Sequence, residues 1–135
     1  NEPDIGYPYL FNYVAGHEWR TQKTVSELIS TYFKNTPDGL PGNDDTGTMS
    51  AWLVFSMIGI YPISPATPTY TITTPVFDKI TIQLDARYYK NKQLVIEKEG
   101  FGEINKIQIN GKTKKPYFIS HRALVEGNNL KIKLK

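Results

Sequence analysis

The spacing of the hydrophobic residues in this chain changes near Pro65. Before that point, apolar side chains recur at positions i, i+3, i+4, i+7 and i+8, which is typical of one buried face of a helix. The residues with this spacing are Val25, Leu28, Ile29, Tyr32 and Phe33. The predicted helix begins either at a capping box formed by Thr24 and Glu27 or earlier, near Glu18. Pro37 prevents its continuation.

A second helix is predicted from Thr46 or Thr48 to Ile58, and almost every side chain along it is apolar. A helix that is apolar on all sides is normally buried in a larger core. We therefore expect it to belong to a helical array whose other members lie outside this sequence. Gly59 fits the position just past the helix end, and Pro62 excludes a longer helix.

After Pro65 the apolar residues alternate with polar ones, as they do in half-buried antiparallel strands. Six segments have this pattern: 70–73, 79–84, 93–98, 106–109, 117–119 and 130–134. Asn110-Gly111 predicts a hairpin turn, and residues 127–129 predict another turn. The predicted fold class is α+β, with a helical domain at 1–64 followed by an antiparallel β-sandwich-like domain at 65–135.

Length, charge and cysteine content limit the size of the fold and the kinds of partner and metal site that this chain can have. A chain of 135 residues is about one domain long. The formal net charge is +3, and the lysines after residue 86 are spaced along the strands, which favours solvated strand faces over a nucleic-acid surface. The lack of cysteine excludes disulfides and thiolate metal sites. No segment approaches the roughly 18 apolar residues of a membrane span.

Candidate chemistry is concentrated in the Gly- and Pro-rich loop ahead of the second predicted helix, which carries Asp44 and Asp45. A helix N-terminus stabilises a carboxylate in its ionised form. One acid at this position is explained by capping of the helix. An ionised carboxylate held by a rigid element is also what a general base for water requires. From the residues alone, both interpretations stay open for both acids.

A second polar cluster, Asn1–Asp4, precedes an aromatic run at Tyr7–Tyr13. Amide and carboxylate oxygens suit a hard cation such as calcium. Aromatic rings beside acids occur in sugar-binding sites, and packing of an ordered loop on helices explains the same rings. His17 and His121 have no metal-ligand spacing, so a zinc site is not expected.

Several motifs follow one another along nearly the whole chain. They are Asn1–Asp4, Pro8–Tyr13, Trp19–Gln22, Pro37–Asp45, Met49–Trp52, Gly59–Pro62, Tyr70–Ile72, Pro75–Phe77 and Asn110–Lys112. In this order they resemble the C-terminal part of the calcium-dependent, exo-acting α-mannosidases of glycoside hydrolase family 92. The resemblance implies a longer enzyme, with an N-terminal β-sandwich and an (α/α)6 catalytic barrel to which residues 1–64 would belong.

The resemblance also implies an inverting mechanism on the terminal mannose of N-glycans or mannans, with calcium holding the 2- and 3-hydroxyls of that sugar. By motif match, Asp45 is the expected general base. Asp44 is then a second acid near the site, a helix cap or an alternative base. Asn43 stands where the family often has another acid and is a candidate substrate contact. Glu2 is a candidate contact to substrate or, together with Asn1, to calcium.

In this family the general acid is a Glu upstream of the Asn-Glu-Pro motif, where this chain begins without an initiator Met. We therefore expect the chain to be a piece of a longer protein and to have no appreciable mannosidase activity alone. The family implies a periplasmic or secreted location in a bacterium. The apolar second helix predicts either self-association of the isolated chain or packing of its helices on its own sheet.

Two competing interpretations concern other classes of protein. One is a non-catalytic carbohydrate-binding or interaction module built on the β-region, where Tyr88, Tyr89 and Tyr117 would form a binding platform. The other is a natural short pseudoenzyme. Both tryptophans, Trp19 and Trp52, lie in the helical region, and Trp52 is expected to be buried.

Overall fold

The computed structural model describes residues 2–64, 66–114 and 117–135, and the side chains of Glu2 and Lys114 are outside that description. The fold is α+β, as predicted. Two short 3-10 helices, Glu2–Asp4 and Tyr7–Tyr13, come first. The helices are α1 (Glu18–Tyr32), α2 (Thr48–Ile58) and α3 (His121–Gly127). The strands are β1 (Ile60–Tyr61), β2 (Thr69–Ile72), β3 (Lys79–Gln83), β4 (Gln93–Glu99), β5 (Ile104–Ile109), β6 (Lys112–Lys114), β7 (Phe118–Ser120) and β8 (Asn129–Leu134).

The first two helices follow the hydrophobic pattern. Helix α1 begins at Glu18, so the earlier of the two predicted starts is correct and the Thr24–Glu27 pair lies inside the helix. Helix α2 begins at Thr48 and ends at Ile58, within the predicted limits. Gly59 has a φ of 88° and its N–H donates to two carbonyls of the last turn, which is the left-handed C-cap that glycine favours.

The strands form two sheets. A three-stranded antiparallel sheet has the order β1-β2-β7, and a five-stranded sheet has the order β3-β4-β8-β5-β6. The predicted hairpin joins β5 to β6, with Asn110 and Gly111 at φ values of 46° and 75°. The β4–β8 pair is parallel, which differs from the uniformly antiparallel expectation. A parallel pair needs a long connection, and the residues between β4 and β8 provide it.

Four elements were not predicted: β1, α3 and the two short 3-10 helices. Helix α3 has only seven residues, too few to establish a helical period in the sequence. Its one local signal is Ser120, whose hydroxyl oxygen accepts a hydrogen bond from the Ala123 N–H at 3.2 Å. Strand β1 has two residues and is defined by its pairing with β2, which no local pattern reveals.

Two apolar clusters form the core. The larger one lies between the sheets and α3, and its fully buried members include Ile72, Leu130 and Ile132. The smaller one is aromatic and joins the first residues to α1 and α2. Its buried members are Tyr9, Val25, Trp52 and Tyr61. Phe55 of α2 packs against both clusters, so α2 links the helical part of the chain to the sheets.

Buried hydrogen bonds cross the predicted domain boundary at residues 64 and 65. The Asn12 side-chain amide donates to Thr71 Oγ1 at 2.6 Å and to the Ile72 carbonyl at 2.8 Å. The Gln22 side-chain oxygen accepts from the Ile104 N–H at 2.8 Å. These bonds join the two predicted domains to each other, and the division of the chain at residues 64 and 65 stays a prediction. In the described residues, no helix is long and apolar enough to cross a membrane.

Candidate active site

The turn ahead of α2 has an unusual backbone. Asp45, Thr46 and Gly47 follow one another with φ values of 33°, 59° and 86°, all in the left-handed region. Glycine adopts this region freely, but an Asp or Thr there costs about 1–2 kcal/mol per residue. Such strain persists only where surrounding contacts hold it, and it is concentrated at functional sites. The turn is therefore the strongest candidate site in the described part of the chain.

Asp44 lies at the start of this turn and binds the first turn of α2. Its Oδ1 accepts from the Ser50 N–H at 2.7 Å, and its Oδ2 accepts from the Ser50 hydroxyl at 2.7 Å. The Ser50 hydroxyl and then the Ser50 N–H hold the pKa of the Asp44 carboxyl below its usual value, since both bonds favour the charged form. Asp44 therefore caps α2, the structural interpretation left open by the sequence.

Asp45 has different surroundings. Its side chain is exposed, and its carboxylate has no hydrogen bond or ion pair with the described residues. Its backbone carbonyl, in contrast, accepts from the Thr46 hydroxyl at 2.6 Å and from the Thr48 hydroxyl at 2.7 Å. The two adjacent acids therefore differ in their contacts. The Asp44 carboxylate is hydrogen-bonded to the helix, whereas the Asp45 carboxylate is exposed and only the Asp45 backbone is hydrogen-bonded.

An aromatic cluster supports α2 below the turn. Trp52 is 3% exposed, and its indole N–H donates to the Ile5 carbonyl at 2.9 Å. Tyr9 stacks on Tyr61 with 4.4 Å between the ring centroids. The Tyr9 hydroxyl lies 2.5 Å from Ser56 Oγ, and burial raises the pKa of this phenol. These contacts attach residues 2–13 to the face of α2.

This attachment brings two of the predicted motifs to one cavity. The cavity has a volume of about 330 Å³ and is lined by Asp4, Ile5, Pro8, Leu28, Tyr32, Phe33, Pro41, Met49 and Trp52. Residues from the first motif and from the Gly- and Pro-rich loop thus share its walls. A second cleft of about 270 Å³ adjoins the left-handed turn and is lined by Thr46, Gly47, Thr48, Ala51, Trp52, Phe55, Tyr61 and Pro62.

The other predicted site residues are only partly described. Asn43 is exposed and makes no side-chain hydrogen bond within the described residues. Asn1 lies outside the described residues, and so does the side chain of Glu2. Within residues 2–64, 66–114 and 117–135, no three His, Cys, Asp or Glu side chains are grouped closely enough to hold a metal ion. The two calcium candidates, Asn1 and Glu2, fall outside that search.

Three hydroxyl residues of the site were missed: Thr46, Thr48 and Ser50. The sequence does contain a signal for them, because these hydroxyl residues occupy every second position directly after the two acids. Their bonds to Asp44 and Asp45 depend on the left-handed backbone, however, and an Asp-Thr pair does not predict such a backbone.

The tyrosines proposed as a sugar platform in the β-region are mostly engaged elsewhere. The Tyr89 hydroxyl lies 3.2 Å from His121 Nε2, and the Tyr117 hydroxyl donates to the Ile104 carbonyl at 3.2 Å. Tyr88 alone of the three is largely exposed, at 76%. One exposed ring is a small platform, which weakens the hypothesis of a sugar-binding surface in the β-region.

Comparisons with known proteins place the whole chain in one family. A family model described as the glycosyl hydrolase family 92 catalytic domain matches residues 1–135. An uncharacterized secreted glycosidase from Arthroderma benhamiae is 29% identical over 140 residues, covering 99% of this chain and 18% of that protein. A family GH92 α-mannosidase from Bacteroides thetaiotaomicron has a TM-score of 0.83 at 29% identity, covering 98% of this chain and 18% of its own.

A second solved structure from Bacteroides thetaiotaomicron, a family GH92 inverting mannosidase, has a TM-score of 0.84 at 29% identity. The match covers 100% of this chain and 18% of that one. The chain therefore spans less than a fifth of the length of these relatives. Because the family model matches all 135 residues of this chain, the chain belongs to glycosyl hydrolase family 92.

Proposed function

We propose that this chain carries the base side of the active site of an inverting, calcium-dependent exo-α-mannosidase, with Asp45 as the general base. The observation that carries the proposal is the contrast between two adjacent acids. Both Asp44 oxygens accept hydrogen bonds from Ser50, whereas the Asp45 carboxylate is exposed on a strained turn. The solved inverting mannosidase of the same family supports the reaction class.

Inversion requires two carboxyl groups about 6.5–9.5 Å apart on opposite sides of the scissile bond. The base removes a proton from water while the water oxygen bonds to the anomeric carbon, and the acid protonates the departing oxygen. A base for this step needs an ionised carboxylate with a lone pair accessible to water. The oxygens of the Asp45 side chain are accessible to water, since the residue is exposed and no described group occupies them. The Asp44 carboxylate is less suited to this role, because Ser50 donates a hydrogen bond to each of its oxygens.

The general acid is proposed to lie in another part of a longer protein. The family relatives are more than five times the length of this chain, which supports that proposal. We expect the 135-residue chain alone to release no mannose. The exposed face of α2 around Val54, which is 55% exposed, would be covered by other helices of the same protein.

The proposed substrate is a terminal α-mannoside of an N-glycan or mannan, in line with the α-mannosidase activity named for the structural relative. Calcium would be held on the side of Asn1 and Glu2, whose amide and carboxylate oxygens are hard donors. These two side chains supply fewer than the six to eight oxygens that calcium takes, so substrate hydroxyls and other parts of the protein would complete its shell. Bound there, calcium would orient the sugar. The name of the relative from Arthroderma benhamiae supports secretion.

The test uses the full-length protein and a terminal α-mannoside. We expect NMR of the first product to show β-mannose, and chelation of calcium to stop the reaction. Asp45→Asn is expected to lower kcat by about 10²–10⁴, the usual contribution of a general base. The matched control is Asp38→Asn, which removes an exposed carboxylate from the same loop and should leave kcat unchanged. α-Mannose as first product, or an unchanged kcat in Asp45→Asn, would contradict the proposal.

A further inference from the structure

We propose that Thr48 and Ser50 are positioning residues for Asp45, an inference that rests on the proposed role of Asp45 as the base. Thr48 holds the backbone carbonyl of Asp45 from the C-terminal side. Ser50 holds the carboxylate of the preceding residue, Asp44. Together they fix both ends of the peptide segment from which the Asp45 side chain projects.

Thr48 binds the turn through two donors. Its hydroxyl donates to the Asp45 carbonyl at 2.7 Å, and its own N–H donates to the Asp44 carbonyl at 2.7 Å. One residue of α2 therefore binds two successive carbonyls of the turn. Because Thr48 is the first residue of the helix, these bonds tie the turn to a rigid element.

Ser50 binds the turn through the Asp44 carboxylate. Both of its donors, the N–H and the hydroxyl, go to the Asp44 carboxylate at 2.7 Å each. Bonds to a charged acceptor are stronger than bonds between neutral groups, so this two-point contact is the firmest anchor of the turn. It fixes the Asp44 backbone, and thereby the start of the left-handed run at Asp45.

The backbone of the turn is strained. Asp45 and Thr46 both occupy the left-handed region, which non-glycine residues leave when nothing holds them. A return of Asp45 to a negative φ would change the direction of its Cα–Cβ bond and move its carboxylate relative to a bound sugar. A misplacement of about 1 Å can cost as much as about 10²-fold in rate. The bonds from Thr48 and Ser50 oppose this return, together with the bond from the Thr46 hydroxyl to the Asp45 carbonyl.

The helix that provides these bonds is itself well supported. The Ser56 hydroxyl donates to the Trp52 carbonyl at 2.6 Å, so the Tyr9 hydroxyl is the donor in its contact with Ser56. Together with the bond from Trp52 to the Ile5 carbonyl, this fixes α2 against residues 2–13. The position of Asp45 is thus connected through Thr48 and Ser50 to the buried aromatic cluster.

The experiment measures kcat, KM and the thermal midpoint of the full-length protein on a terminal α-mannoside. Thr48→Val keeps the branched shape and removes the hydroxyl, and we expect it to lower kcat about tenfold with KM changed by less than about twofold. Thr48→Ser retains the hydroxyl and should recover most of that loss. The second variant is Ser50→Ala, which removes the hydroxyl that donates to Asp44 and replaces Ser with a good helix former. It should also lower kcat.

The matched control is Ser30→Ala in α1, which removes an exposed hydroxyl donating to the Glu27 carbonyl at 3.1 Å. A kcat loss in Thr48→Val that Thr48→Ser recovers, with an intact fold by circular dichroism, supports positioning. If Asp45→Asn is inactive while Thr48→Val and Ser50→Ala keep wild-type kcat, positioning is wrong and the base assignment stands. If Asp45→Asn is fully active, the base assignment is wrong and the positioning inference is overturned with it.

Discussion

The five-stranded sheet and the helical part of the chain bury their apolar residues to different degrees. In the sheet, Ile132 and Leu130 are 0% exposed and Ile96 is 1% exposed. In the helices, Trp52 is buried, but Val54 and Tyr32 are each 55% exposed. The sheet therefore completes its own core within this chain, whereas the helices do so on one side only.

The two parts also differ in their polar groups. On the sheet, Lys131 and Lys133 contact Glu99 across neighbouring strands, in ordinary strand geometry on a solvated face. At the start of α2, the acids lie on a backbone held in the left-handed region. The difference suggests that the sheet stabilises the chain, while the helical part provides the strained, partly uncovered surface that a reaction site needs.

The largest expected effect on stability is in the sheet core. Ile132→Ala should lower the free energy of unfolding by about 2–5 kcal/mol, because it leaves a cavity in a site with no exposed surface. Val54→Ala on the exposed face of α2 is the comparison, and its effect should be within about 0.5 kcal/mol. Urea denaturation of the 135-residue chain measures both. If the two variants lost equal amounts of unfolding free energy, the proposed difference in core completeness between the sheet and the helices would be wrong.

A smaller effect is expected in the aromatic cluster. Tyr9→Phe removes the buried hydroxyl that donates to Ser56 and should cost about 1 kcal/mol, the net value of one hydrogen bond. The cost stays near this value because Ser56 keeps its own bond to the Trp52 carbonyl. Tyr7→Phe, at an exposed ring, is the control. Denaturation midpoints that do not separate the two variants would show that the cluster is not held by this bond.

The smallest effect is a pH dependence carried by Asp44. Its pKa in the folded state lies below the unfolded value, so it contributes stability above that unfolded value and loses it as pH falls through the folded pKa. The thermal midpoint of the unmodified chain minus that of Asp44→Asn should thus be larger near about pH 6 than below about pH 3. Asp85 and Glu99 also have lowered pKa values, but they are present in both proteins and cancel. A difference that does not change with pH would contradict the capping role.

Much of the fold follows from local periodicity. The 3.6-residue pattern predicted α1 and α2, and alternation predicted six strand segments, which correspond to β2, β3, β4, β5, β7 and β8. The parallel β4–β8 pair was not predictable, because the pairing of these two strands depends on the path of the chain from β5 to α3, which connects them. Helix α3 is too short for a periodic signal.

The candidate site was predictable to the level of its two acids. Their position ahead of an apolar helix identified the loop, and the helix cap was recognised as one of two interpretations. Which acid caps the helix was decided by Ser50, whose two donors both reach Asp44. The left-handed run at Asp45 and Thr46 could not be predicted, since Asp adopts that region only occasionally and Thr avoids it.

The division of roles between Asp44 and Asp45 is tested most directly by one paired measurement: kcat and thermal midpoint of Asp44→Asn and Asp45→Asn in the full-length protein. Asp45→Asn should lose turnover with its midpoint unchanged, because that carboxylate has no bond to the described residues. Asp44→Asn should lower the midpoint and retain more of its turnover than Asp45→Asn, because it weakens the cap. The reverse pattern, with turnover lost in Asp44→Asn and kept in Asp45→Asn, would contradict the assignment of Asp45 as the base.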